Sequence, residues 1–155
     1  MPSIEIICVD QSEPISFFNL PFAVEAENKL VSHRSPSPLF QADFNELCGC
    51  IYHLGNPSLR DPNASGCYTA YELLSKEKET EWWDIIHFNA EFIPHIRGLV
   101  QQLLLASPSG KVLFTSDYQF GPNAKRYKRP LTSERFWQQH DEKKLKMNAL
   151  YQLKL

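Results

Sequence analysis

A chain of 155 residues that is 43% hydrophobic, 22% charged and 12% aromatic has the make-up of a globular protein, which excludes a disordered or fibrous one. One domain over 1–155 is the expectation, and at this length roughly 70% of the unfolded surface can be buried, so the four cysteines are expected as free thiols rather than disulfide staples. The net charge of −2 conceals a polarity of −8 over residues 1–124 and +6 over 125–155.

The first element, "SIEIICVD", is rich in β-branched residues and predicts a strand over 3–9. "FAVEAENKLVS" alternates, with Phe22, Val24 and Ala26 on one face and Glu25 and Glu27 on the other, so a half-buried strand follows. Ser37 can cap a helix and Pro38 suits its first position. Phe40, Phe44, Leu47, Cys48, Ile51 and Leu54 then follow helical spacing, with Gly55 as the stop, so a helix is expected over about 38–54. "NPSLRDPNASG" reads as a loop and "CYTAYELLS" as a short helix.

"KEKETE" is a solvated charged run, and "WWDIIHFN" has the residue types of a strand. "EFIPHIRGLVQQLLLAS" is the clearest helix, with Pro94 in its first turn. "KVLFTSDY" predicts a strand, "GPNAKRYKRPLTS" a loop, "SERFWQQHDEKK" a short helix capped by Ser133, and "ALYQLKL" a final strand. Interleaved helices and strands imply an α+β or α/β fold: a single mixed sheet of about five strands with about four helices packed on it. The strand–helix–strand run from "WWDIIHFN" to "KVLFTSDY" has the length of a crossover joining two parallel strands.

The stretch "ELCGCIYHLG" raises the question of a metal. Zinc needs about four converging ligands, whereas a helix turning about 100° per residue puts Cys48 and Cys50 on opposite faces. A strand separates His53 from both cysteines instead, so no metal and no cofactor is expected. "SPSGKV" lacks the residues of a phosphate-binding P-loop, and no G-x-G-x-x-G or G-x-S-x-G occurs. Cys67, after Ser65-Gly66, is the best-placed thiol for reactivity if it opens a helix. Glu25 and Glu27 read as a solvated strand face.

Three functions are compatible with these features. The first is a non-catalytic intracellular protein-binding domain, of the toxin-neutralising (immunity-type) inhibitor kind. An acidic body favours a basic protein partner through complementary fields, and residues nominated for contact are Glu77, Glu79, Glu81, Asp84 and Asp117. The second is a small enzyme or small-molecule-binding domain with its site near Asp84 and Asp117. The third uses the basic cluster Lys125, Arg126, Tyr127, Lys128 and Arg129 to grip a polyanion or nucleic acid, with Tyr127 stacking. The acidic body argues against nucleic acid as the main ligand. The opening "MPSIEIICVD" has no basic leader and no apolar run nears ~18 residues, so a cytoplasmic protein with no membrane partner is expected.

Overall fold

Residues 2–28, 49–57, 68–76, 84–118 and 125–155 are described by the computed structural model. Their strands are β1 (Ser3–Val9), β2 (Val24–Asn28), β3 (Gly49–Leu54), β4 (Asn56–Pro57), β5 (Tyr68–Thr69), β6 (Lys111–Asp117), β7 (Lys125–Thr132) and β8 (Ala149–Lys154). Two α-helices, α1 (Ile93–Ala106) and α2 (Ser133–Asp141), and a 3-10 turn at Tyr71–Leu73 complete the described elements. Six strands form one mixed sheet in the order β2-β3-β1-β6-β8-β7, and β4 pairs with β5 in a separate ribbon.

β1 lies inside the sheet, antiparallel to β3 on one side and to β6 on the other. Its Ile-rich run is buried on both faces, as an interior strand requires. Ile4, Ile6 and Cys8 point to the face covered by α1, where they meet Leu103, Leu104 and Val100. Helix α1 forms because apolar residues recur at helical spacing, and Pro94 falls at its start, where the missing N–H costs nothing. Its C-terminal end is tied down by Ser107, whose hydroxyl donates to Val9 O at 2.7 Å and accepts from Lys111 N at 3.1 Å.

The same face carries an aromatic cluster. Phe136 stands 4.9 Å from Phe114, 5.3 Å from Trp137 and 5.8 Å from Tyr151 between ring centroids. Tyr52 joins the core from β3, its hydroxyl donating to Gln11 Oε1 at 2.7 Å and accepting from Ile15 N at 2.9 Å. That pair of bonds fixes residues 11–15 onto the sheet, and burial pushes the Tyr52 phenol up to about 12. The opposite sheet face has its own cluster of Ile7, Val9, Ile51, Leu113 and Leu150.

Several expectations are corrected. The described residues give six strands in the sheet and two α-helices, not about five and about four. Residues 49–54 are a fully buried strand rather than the end of a helix. With both faces buried, a strand is apolar throughout, and helical spacing fits such a run as well as alternation does. The earlier part of that expected helix, including Ser37, Pro38, Phe40, Phe44, Leu47 and Cys48, lies outside the described residues. His53 and Cys50 are both buried.

Gly55 is needed, but for a turn and not a helix stop. Its φ is +102°, and a Cβ there would sit 2.0 Å from the Thr69 carbonyl oxygen. "CYTAYELLS" supplies β5 and the 3-10 turn, and its Cys67 is outside the described residues. Residues 84–88 are not a strand: Ile85 and Phe88 make single bridges to Lys146 and Leu74. Trp82 and Trp83 lie outside the described residues. The crossover into β6 is therefore absent, and β6 runs antiparallel to both neighbours.

The parallel pair is β7 with β8, joined through α2. Residues 125–132, expected as a loop, form the outermost strand. Their charges and Pro130 suit a strand bonded on one side only. Thr132, not Ser133, caps α2, its hydroxyl accepting from Arg135 N at 3.2 Å. Among the described residues no helix is long and apolar enough to cross a membrane.

Candidate functional site

The basic cluster becomes a pocket wall because β7 is a strand. Tyr127, Arg129 and Leu131 of β7 line a cavity of about 420 Å³, along a stretch where the pairing with β8 shifts register. Gln139 of α2, Lys144 and Lys146 beyond the helix, and Tyr151 of β8 complete the lining. The volume falls within the ~300–1,000 Å³ usual for small-molecule pockets.

Each part of this wall has a local cause. Helix α2 is capped by Glu142, and Lys143 follows in the left-handed region at φ 57°, donating its N–H to His140 O at 2.9 Å. Lys144 N donates to Gln139 O at 2.9 Å and closes the turn. Residues 144–147 then alternate: Leu145 and Met147 are buried, while Lys144 and Lys146 line the cavity. Main-chain bonds from Ile86 N to Leu145 O and from Met147 N to Asp84 O, both 2.9 Å, hold the segment in place. Lys146 N also donates to the Tyr151 hydroxyl at 2.8 Å.

Tyr127 and Tyr151 sit opposite each other in the β7–β8 register and stack at 4.6 Å with planes 6° apart. Burial raises the Tyr151 phenol well above its ordinary value, so it stays neutral. The cations are Arg129, Lys144 and Lys146, and Lys144 Nζ lies 2.9 Å from the Glu142 carboxylate.

The nominated residues divide. Tyr127 and Arg129 reach the pocket. Lys125 is exposed, its main-chain N–H donating to Asn148 O at 2.9 Å. Arg126 and Lys128 are placed in β7 by their backbone. Asp84 is half-buried in the turn that holds Met147, and Asp117 ends β6 opposite Ser3. Neither aspartate is among the residues that line this cavity. Glu77, Glu79 and Glu81 lie outside the described residues. Sequence reasoning missed Leu131, Gln139, Lys144, Lys146 and Tyr151. The lysine-rich "KKLK" at 143–146 was a usable signal, but its meeting with β7 depends on the parallel crossover.

Two further polar clusters are buried. On the second sheet face, register places His53 opposite both Glu5 and Glu25, and Glu5 opposite Thr115. Glu5 Oε1 is 3.6 Å from His53 Nδ1, and the Thr115 hydroxyl donates to Glu5 at 3.2 Å. Cys8 and Cys50 face each other across β1 and β3 as thiols donating to Leu103 O and Gln11 O. Burial pushes the Cys8 thiol up to about 12, which leaves it a poor nucleophile.

The second cluster is structural. His140 is fully buried; its Nε2 accepts from Phe88 N at 3.0 Å, so the proton sits on Nδ1, 3.0 Å from Asp141 Oδ1. His87 stacks on it at 4.7 Å. Burial lowers the His140 pKa below its ordinary 6.5; the Asp141 bond opposes this in part, and His87 adds to the lowering. The unfolded chain therefore takes up this proton first as pH falls. The contribution of the neutral ring is fully present above about 6.5 and is lost as pH drops below that value toward the folded pKa. Urea midpoints across this range should fall more steeply for the native chain than for His140→Gln. Parallel profiles would contradict the assignment.

No protein family matches this chain, and neither a curated relative nor a solved structure matches it.

Proposed function

We propose that the protein is a non-catalytic binding domain whose ligand is a small anionic molecule held in the β7–α2–β8 pocket. The observation that carries this is the convergence of Arg129 from β7 with Lys144 and Lys146 from the segment after α2 on one cavity lined by two stacked tyrosines. Cations at the rim supply attraction, and the rings and Leu131 supply the apolar wall that small-ligand sites need. Among the described residues the lining holds no carboxylate, thiol or imidazole.

Calorimetric titration with inorganic pyrophosphate tests this directly. Saturable one-site binding is expected, weakening by at least about tenfold in Lys146→Glu or Arg129→Glu. It should also weaken as ionic strength rises from about 0.01 M to about 0.1 M, where the Debye length shrinks from ~30 Å to ~10 Å. Glu142→Gln should tighten it, because the carboxylate at 2.9 Å competes for Lys144. Absence of saturable binding would remove the proposal.

A second reading, the toxin-neutralising inhibitor of a basic protein, is supported by the −8 charge of residues 1–124. It predicts recovery of one basic protein in stoichiometric complex, and persistence of that complex in the pocket variants.

A further inference from the structure

The pocket's lining asks for more than charge. Resting on the anionic-ligand reading above, we infer that the ligand is a nucleoside phosphate: an anion joined to a flat ring with a hydrogen-bonding edge. The cations lie on the outer strand and on the segment beyond α2, and both Arg129 and Lys144 are exposed. An anionic group thus meets them at the mouth. A lone phosphate would leave a cavity of about 420 Å³ mostly empty.

The remainder of the lining is ring and amide. Tyr151 covers one face of Tyr127 at 4.6 Å, while Tyr127 itself stays half-exposed. A preset aromatic slab of this kind is what a base stacks on, because every base has a π-face. Leu131 adds apolar surface, and the half-buried Gln139 side chain offers a donor and an acceptor together. That pairing matches the edge of a base, which presents donors and acceptors side by side.

The ligand could come free or as one unit of a single strand, and the chemistry recognised is the same. The test compares four probes on the full chain by calorimetry: inorganic phosphate, ribose 5-phosphate, a nucleoside 5′-monophosphate, and a single-stranded trinucleotide. The monophosphate is expected to bind at least about fivefold more tightly than ribose 5-phosphate, the low end of what one base–aromatic stack supplies. Tyr127→Leu should abolish that advantage while ribose 5-phosphate binding persists, which separates lost stacking from lost folding. Gln139→Ala, a change away from the core, should reduce discrimination among bases. Tighter binding of the trinucleotide assigns the source to a strand, and equal binding assigns it to free nucleotide; both uphold the inference. Equal affinity for ribose 5-phosphate and the monophosphate overturns it and leaves the anionic site standing. Failure of all four probes overturns both.

Discussion

Replacing Phe88 by alanine is expected to cost about 3–5 kcal/mol of folding stability, the range for deleting a fully buried aromatic ring. Phe88 has no solvent exposure, although it lies in a stretch with no regular secondary structure. Its ring stands 6.3 Å from Phe114 on β6, 6.2 Å from Trp137 on α2 and 5.5 Å from His140. A cavity here therefore opens between sheet, helix and connecting segment at once. Main-chain bonds from Ser75 N to His87 O at 2.7 Å and from Asn89 N to Leu73 O at 2.9 Å limit how far the segment can collapse into it. Urea unfolding should show a lower midpoint at unchanged slope. Phe18→Ala, at a ring 79% exposed, should change stability by no more than about 0.5 kcal/mol. A loss below about 1 kcal/mol for Phe88→Ala would mean that the 84–88 segment does not pack as described.

The Glu5–His53 pair should show the second large effect. Both side chains are nearly inaccessible, Glu5 at 3% and His53 at 1%, and they lie on neighbouring interior strands. Glu5→Leu puts an apolar side chain where the carboxylate faces the imidazole across β1 and β3. Removing one partner of a buried polar pair costs roughly 1–3 kcal/mol, and more where the pair is charged. Replacing both together, Glu5→Leu with His53→Leu, should restore most of the loss, because an apolar pair of similar volume needs no polar partner. The coupling comes from a double-mutant cycle in urea. Additive losses would show that the two side chains do not act as a pair.

How far the fold could be read from sequence depended on where each segment lies in the sheet. β1, β6 and β8 were legible from β-branched and alternating runs, and α1 from its spacing. β3 was not, because burial on both faces erases the alternation that distinguishes a strand from a helix. β7 was not, because an edge strand can carry Lys, Arg and Pro130 and still pair on its inner side. Residues 84–88 have strand composition, yet their apolar side chains fill a gap between α2 and the sheet without joining a ladder.

The same physics limited the site. "KRYKR" was recognisable as cations around an aromatic, and two of its members do reach the pocket. Their partners come from Gln139, Lys144, Lys146 and Tyr151, which only the turn at Lys143 and the parallel β7–β8 pairing bring alongside. Local composition cannot register a contact made by a crossover. Asp84 drew attention as a carboxylate amid apolar neighbours, which usually needs a partner, and Asp117 as one at a strand end. They proved to lie where a turn and a strand end let them stay half-exposed.

The most direct test of the basic pocket is amide chemical-shift mapping of the full chain titrated with inorganic pyrophosphate. The predicted result is saturable shifts centred on Tyr127, Arg129, Leu131, Gln139, Lys144, Lys146 and Tyr151, with β2 and α1 unmoved. Shifts centred on any other surface, or none at concentrations that saturate a comparable anion site, would contradict it.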